Sequence, residues 1–314
     1  MSKPQSKLLI ICGPTAIGKT QLALSLAQDS AVSIITIDSR HVYQELPVLA
    51  GWDLSPGVSR YSSSLTFQEL SVPFYQKDNL RFWGFGFLNG KNIFSAGDFI
   101  DLINQIIKLE TAENRKIILV GGTGFYLHSL LYPTQLSSFS SDRSFQSHLL
   151  EMTVPELQEL LNSKNPLRFS QLNSSDLMNR RRLARAIELA ELGEIGHPGP
   201  LVSPFKFQLI GLRPLDLTVY RQRIEERVVE RLKNGAIKEV VSLYKNYSDT
   251  SLPIFTTIGV QLIHQFSQNQ IDKETLITLW TTKEYQYAKR QLTWFKKEPS
   301  LIWYDQIKSP INLI

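Results

Sequence analysis

Cysteine occurs once in the 314 residues, at Cys12. One cysteine excludes an internal disulfide and any cysteine-rich metal site. Its place at the end of an apolar run suits a small buried hydrophobe. No apolar run approaches the length of a membrane span, no leader is expected before the first apolar run, and no segment repeats. Charge of one sign is also scarce: 34 Lys and Arg stand against 29 Asp and Glu, for a net charge of +5. That small excess points to an anionic partner through its distribution more than its total. With 42% apolar and 20% charged residues the chain reads as an ordinary globular protein of one or two domains. A chain of this length buries most of its unfolded surface without covalent staples. A cytoplasmic monomer is the expectation.

The organising stretch is Leu8 to Thr20, LLIICGPTAIGKT. Leu8 to Cys12 reads as a buried strand. Gly13, Pro14, Thr15, Ala16, Ile17, Gly18, Lys19 and Thr20 follow as G-x-x-x-x-G-K-T, and Leu22, Leu24, Leu26 and Ala27 then take helical spacing. A strand, this loop and a helix are the setting of a phosphate-cradling loop. The glycines let consecutive N–H groups turn toward an anion. The helix N-terminus presents its free N–H groups and positive dipole end to that anion. Lys19 adds a point charge and the Thr20 hydroxyl can ligate Mg²⁺. The loop implies a bound di- or triphosphate without identifying it.

Val32 to Ile37 reads as a second strand and ends at Asp38-Ser39. A carboxylate at that end of a strand lies on the ligand side of the sheet. Asp38 can be a Mg²⁺ ligand, a general base or a cap. Arg40 to Gly90, rich in proline, serine and aromatics, reads as a packed irregular segment on the sheet edge, with the run Phe82 to Phe87 as core or as an aromatic platform for a base. Ser95 and Asp98 have capping-box spacing before a helix that should end near Glu110. Lys116 to Val120 reads as a third strand, entering a second glycine-rich turn at Gly121 to Gly124 that should lie beside the first, with Thr123 near the reacting centre or in a plain turn.

From Leu136 the alternation stops. A Ser-rich stretch, Ser137 to Ser144, precedes short helices at Val154 to Leu161 and Ser175 to Leu192. Arg180, Arg181, Arg182 and Arg185 lie on the second. Such a run is a solvated face or a phosphate-gripping one. Gly193 to Pro204 is the exit linker. Phe205 to Leu212 returns to strand, and Leu217 to Tyr244 reads as one amphipathic helix that Gly235 can interrupt. Its arginines, Arg221, Arg223, Arg227 and Arg231, are expected mostly in i,i+4 surface pairs with Glu225, Glu226 and Glu230, with one or two able to reach the phosphate site. Ile258-Gly259 reads as an exposed turn. Lys273 to Lys297 is a last long helix mixing aromatic and basic residues, suited to nucleic acid or to core packing. Leu301 to Tyr304 looks like a final strand.

Taken together, GPTAIGKT (13–20), DSRHVY (38–43), VGGTGFYLHSLL (120–131) and YAKRQLTWFKK (287–297) resemble the tRNA dimethylallyltransferases, with weaker matches at 181–188 and 220–235. The resemblance implies an α/β fold with a P-loop NTPase-like parallel sheet core at 1–134 and 204–314. A small all-α insertion at 135–203 would contact tRNA. It implies transfer of a dimethylallyl group from its diphosphate to the exocyclic N6 of the adenosine 3′-adjacent to the anticodon. Residues 13 to 20 would hold the donor diphosphate, with Mg²⁺ at Thr20. Asp38 would be the general base. Thr123 would position adenine or leaving group, and Arg223 would add charge on the departing diphosphate. The adenine must flip out of the anticodon loop. Asp38, Ser39, Arg40, His41, Arg181, Arg182, Arg185, Lys289, Arg290, Gln291, Thr293, Trp294 and Lys296 would contact the tRNA anticodon stem-loop. The chain departs from the family at His41 (usually Gln) and at Leu49 to Asp53 (usually GTAKP-like). It departs again near residue 80, where an aromatic–glycine run replaces a His-rich element, and at Val260 (usually Tyr). Two other functions compete on the residues alone: a P-loop transferase acting on a free adenine nucleotide, and an inactive tRNA-binding paralogue.

Overall fold

The computed structural model describes residues 8–27, 30–132, 151–191 and 205–305, with 145, 148 and 149. The Ser-rich stretch and the exit linker lie outside the described residues. Contacts divide the chain into two units. One contains the described residues up to Leu131 and from 205 onward. The other contains those between Tyr132 and 191.

The larger unit is built on an eight-stranded sheet. Its strands in chain order are β1 (Leu8–Cys12), β2 (Val32–Ile37), β3 (Ser59–Tyr61), β6 (Phe74–Lys77), β7 (Leu80–Trp83), β8 (Lys116–Gly121), β9 (Phe207–Arg213) and β10 (Ile302–Asp305). A separate hairpin holds β4 (Thr66–Phe67) and β5 (Leu70–Ser71). The sheet order is β10-β9-β1-β8-β2-β7-β6-β3. From β10 to β7 every pairing is parallel, whereas β6 and β3 add antiparallel. The expected parallel sheet core is present, extended at one edge by the antiparallel strands β6 and β3. The expected irregular edge is three paired strands, because the β6–β7 hairpin turns back directly at Asp78.

Continuous β-branched runs suit strands covered on both faces, and side-chain alternation splits each run between two cores. Ile10, Cys12, Ile35, Ile37, Ile117 and Leu119 face one cluster with the helix α3 (Ala96–Ala112). Ile11, Ile34, Ile118 and Val120 face the other, with Leu22 and Ala23 of α1 (Lys19–Leu26). The aromatic run divides the same way: Trp83 and Phe87 join the first core, Phe82 and Phe85 the second. Ser95 caps α3 with a reciprocal bond to Asp98, as its spacing implied.

After β8 comes α4 (Gly124–Leu131). The expected helix 217–244 is two, α9 (Leu217–Lys233) and α10 (Ala236–Asn246), broken at Gly235 with φ +111°. Gly259 is buried rather than exposed. It caps α11 (Val260–Ser267) at φ +100°, with its Cα against Trp280. Then α12 (Lys273–Phe295) runs back across the larger unit to β10.

The smaller unit packs Leu157 and Leu161 of its first long helix, Val154–Lys164, against Leu183, Ala184 and Ile187 of its last, Arg180–Glu191. The expected single helix 175–192 is two, Ser174–Leu177 and Arg180–Glu191, divided at Met178 and Asn179.

Candidate active site

The topology places a crevice at the carboxyl ends of β1, β2 and β8. Neighbouring connections there leave on opposite sides of the sheet, the usual ligand position in such folds. The phosphate loop fills it. Gly13 takes φ +148° with its Cα pressed on the Leu212 backbone, where a Cβ would lie 2.6 Å from the carbonyl oxygen. Gly18 takes φ +97° as the N-cap of α1, with no side-chain cap. The first N–H groups of α1 thus stay available to a ligand.

The loop is gripped from behind by the C-terminal half of the chain. Thr15 N donates to Gln291 Oε1 at 2.9 Å, and Gln291 Nε2 donates to Gly122 O at 2.9 Å. One buried amide therefore joins the two glycine turns, which lie side by side. A Cβ on Gly122 would collide with that amide. The Tyr220 hydroxyl donates to Thr15 O at 2.6 Å, and Arg227 Nη1 donates to Thr15 Oγ1 at 2.9 Å. Arg227 also forms an ion pair with Asp53. One turn on, Arg231 is buried and donates to Glu284 Oε1 at 2.8 Å, which also accepts from Trp280 Nε1 at 3.2 Å. Both guanidinium groups rest on Gly51, where any Cβ would strike them.

A cavity of about 1100 Å³ opens over the loop. Lys19, Thr20, Asp38, Ser39, Arg40, His41, Arg223, Arg290 and Gln291 all line it. Lys19 donates to Pro14 O at 2.7 Å. Its pKa falls to about 8, chiefly through burial and then through the neighbouring Arg227 charge. Asp38 Oδ1 accepts from Arg40 N at 2.8 Å, so the capping reading holds for that oxygen. Oδ2 has no protein partner among the described residues. The Thr123 hydroxyl is buried with no hydrogen-bond partner among the described residues, and the phenol of Tyr287 is pushed up by burial and by the Asp38 charge. His41 Nδ1 lies 2.8 Å from Thr36 Oγ1, and its ring stacks on Phe85. Burial lowers the pKa of His41, against the opposing pull of the Asp38 and Asp53 charges. Arg40 Nη2 donates to Thr256 Oγ1 at 2.6 Å.

The expected surface pairs on α9 do not form among the described residues. Arg227 and Arg231 turn inward to Asp53 and Glu284 instead, while Arg223 is exposed at the cavity rim with no acidic partner among the described residues. The inward turn was legible. Positions 227 and 231 continue the stripe of Tyr220, Ile224 and Val228 at helical spacing. Tyr287 and Asp53 gave no comparable pattern. On α12, Lys289, Arg290, Thr293 and Lys296 are exposed, whereas Trp294 lies against Gly124 and meets His128 edge-on. In the smaller unit Arg181 is exposed without an acidic partner among the described residues. Arg182 pairs with Asp176 and Arg185 with Glu188 at 2.8 Å, so that run does have acidic neighbours. The described residues contain no group of three acidic, histidine or cysteine side chains placed to hold a metal, and no helix long and apolar enough to cross a membrane.

Comparison with known proteins supplies the remaining observations. The family pattern for IPP transferase matches residues 73–298, and that for isopentenyl transferase matches 6–59. The tRNA dimethylallyltransferase of Rickettsia bellii (strain RML369-C) is 30% identical over 320 residues, covering 99% of this chain and 91% of its own. That of Oleidesulfovibrio alaskensis is 30% identical, covering 95% and 93%. Among solved structures, the full-length tRNA isopentenylpyrophosphate transferase of Bacillus halodurans aligns with a TM-score of 0.65 at 25% identity, over 98% of this chain and 92% of that one. A eukaryotic dimethylallyltransferase acting on tRNA shares the fold, with a TM-score of 0.73 at 21% identity.

Proposed function

The chain belongs to the IPP transferase family, and on that premise we propose that it transfers a dimethylallyl group from dimethylallyl diphosphate to N6 of the adenosine beside the anticodon of tRNA. The observation that carries this reading is one cavity over the phosphate loop. It joins an anion cradle, an acid with one free oxygen and the exposed basic residue Arg290. The donor diphosphate sits on the N–H groups of residues 13 to 20 and on Lys19, with Arg223 adding charge from the rim. Charge that grows on the diphosphate as the C–O bond breaks meets these fixed positive groups. Asp38 Oδ2 takes the proton that the adenine amine loses as its nitrogen bonds the allylic carbon. Thr123, whose buried hydroxyl has no partner among the described residues, positions the adenine.

The residues also suit a divalent cation. The Thr20 hydroxyl is a hard oxygen donor lining the cavity, and Mg²⁺ prefers such ligands together with substrate phosphates. When bound there, Mg²⁺ would neutralise the diphosphate. The insertion, residues 135 to 203, binds the anticodon stem-loop through Arg181, Arg182 and Arg185, while Ser39, Arg40 and His41, with Lys289, Arg290, Thr293, Trp294 and Lys296 of α12, face its loop. The chain works as a cytoplasmic monomer.

The test is transfer of label from dimethylallyl diphosphate, with Mg²⁺, into unmodified tRNA carrying adenosine after its anticodon, with AMP and ATP in parallel. Label in tRNA alone is expected. Label in the nucleotide would move the reaction to a free acceptor. Binding of tRNA without transfer would leave only an RNA-binding protein.

A further inference from the structure

The cavity has an apolar side that the diphosphate and adenine do not use. Asp38, Thr36 and Ile34 alternate onto one face of β2 and its exit, so the wall changes from carboxylate to hydroxyl to hydrocarbon going inward. Ile34 is paired in register with Phe82 of β7, and both line the cavity. At about 3.3 Å per strand residue the Asp38 and Ile34 backbones are roughly 13 Å apart. A five-carbon chain starting beside Asp38 spans less than half of that.

Trp52 stands beside this path. It lines the cavity, lies on the bare Cα of Gly86, and meets Phe85 and Tyr75 edge-on with centroids 5.7 Å away in each case. Tyr75 is in register with Phe82 across β6 and β7, so the indole packs at the Phe82 side of the cavity. Its backbone is fixed. Trp52 N donates to Pro47 O at 3.0 Å, and Gly51 before it carries two guanidinium groups.

We propose that Trp52 limits the length of the allylic chain the enzyme accepts, admitting five carbons and excluding ten. This rests on the donor site proposed above. Removing the indole opens the space over Gly86 and beside Tyr75 that it now fills, next to the Ile34–Phe82 wall. An added isoprene unit then gains apolar contact instead of a clash.

The experiment compares dimethylallyl and geranyl diphosphate as donors, by transfer to the tRNA stem-loop and by calorimetric binding, with inorganic diphosphate as the headgroup reference. Wild type should prefer the shorter donor by about 100-fold in kcat/KM. In Trp52→Ala that preference should shrink at least about tenfold, with dimethylallyl transfer itself reduced. Trp52→Phe keeps an aromatic ring, discards a buried indole N–H that has no partner among the described residues, and should keep the preference. Thermal melts certify folding, and Trp52→Leu replaces the alanine variant if that one melts early. Wild type using both donors alike, or a folded alanine variant as selective as wild type, overturns the proposal. If wild type transfers neither chain, the reaction assignment fails instead. The binding arm then still decides, since geranyl diphosphate should bind Trp52→Ala more tightly than it binds wild type.

Discussion

Arg227 links the phosphate loop to Asp53: one guanidinium nitrogen donates to Thr15 Oγ1 at 2.9 Å while the other pairs with the Asp53 carboxylate. Asp53 is half exposed and holds φ +47°, so the contact is kept by the loop and not by burial. A diphosphate on the loop competes with Asp53 for that cation. Asp53→Asn should therefore lower KM for the donor by about two- to fivefold. Arg227→Ala should raise it by more, since Thr15 also loses its partner. Initial rates at varied donor concentration decide this, and an Asp53→Asn enzyme with a raised KM would show that the pair builds the site instead of competing for it.

Asp38→Asn keeps the bond to Arg40 N and removes the proposed base. The transfer rate should fall about 10²- to 10⁴-fold, while tRNA affinity, read by filter binding, stays within about twofold. An unchanged rate would return Asp38 to its capping role alone.

Lys19 has a pH signature. Its pKa is depressed to about 8 from the ordinary 10.5, and a bound diphosphate raises it again. Between those limits the donor takes up a proton on binding, so donor affinity should weaken as pH rises above about 8. The unfolded chain binds more protons than the folded one from about pH 8 to 10.5, so this group makes stability rise with pH there. Donor titrations at pH 7 to 9.5 test the first effect. Lys19→Arg, charged throughout, should weaken donor binding yet flatten its pH dependence.

Gln291 falls within the segment whose resemblance suggested an RNA contact, yet its amide is buried between two glycine turns. Gln291→Leu leaves Thr15 N and Gly122 O without a partner, costing about 1–3 kcal/mol. We expect a lower melting temperature and a weaker donor, with the salt dependence of tRNA binding unmoved. A changed salt slope with intact stability would restore the RNA role.

The arginines of the smaller unit divide by their partners. Arg181 has no acidic partner among the described residues, while Arg182 is shared with Asp176. Arg181→Ala should reduce the slope of log K against log salt by about 1, and Arg182→Ala by less. Equal slopes would mean that Asp176 releases Arg182 when RNA arrives.

The loop, the strands and the two glycine turns were legible because each is a local pattern: an apolar run, then glycines, then helical spacing. The segment from residue 40 to 90 was not. Its strands β3 to β7 are two to four residues long, too short for alternation to show. The break at Gly235 was visible as a residue but not as a decision, since a helix tolerates one glycine. At the site, Lys19, Thr20 and Asp38 were named by motif. Asp53 was missed because its significance comes from Arg227, 174 residues away. Gln291 was found, but its side-chain direction was set by packing that no spacing records.

The clamp on the loop has a consequence for how the protein comes into being. Thr15 is held by Gln291, 276 residues later, and β1 lies between β8 and β9, both made long after it. A ribosome therefore releases the phosphate-binding sequence almost first and the group that shapes it almost last. A nascent chain carries the letters of its donor site through nearly all of synthesis without being able to use them. The capacity to bind donor arrives with the emergence of α12, late and all at once. A truncation that stops before residue 291 would yield a chain that retains its most recognisable motif and none of its chemistry.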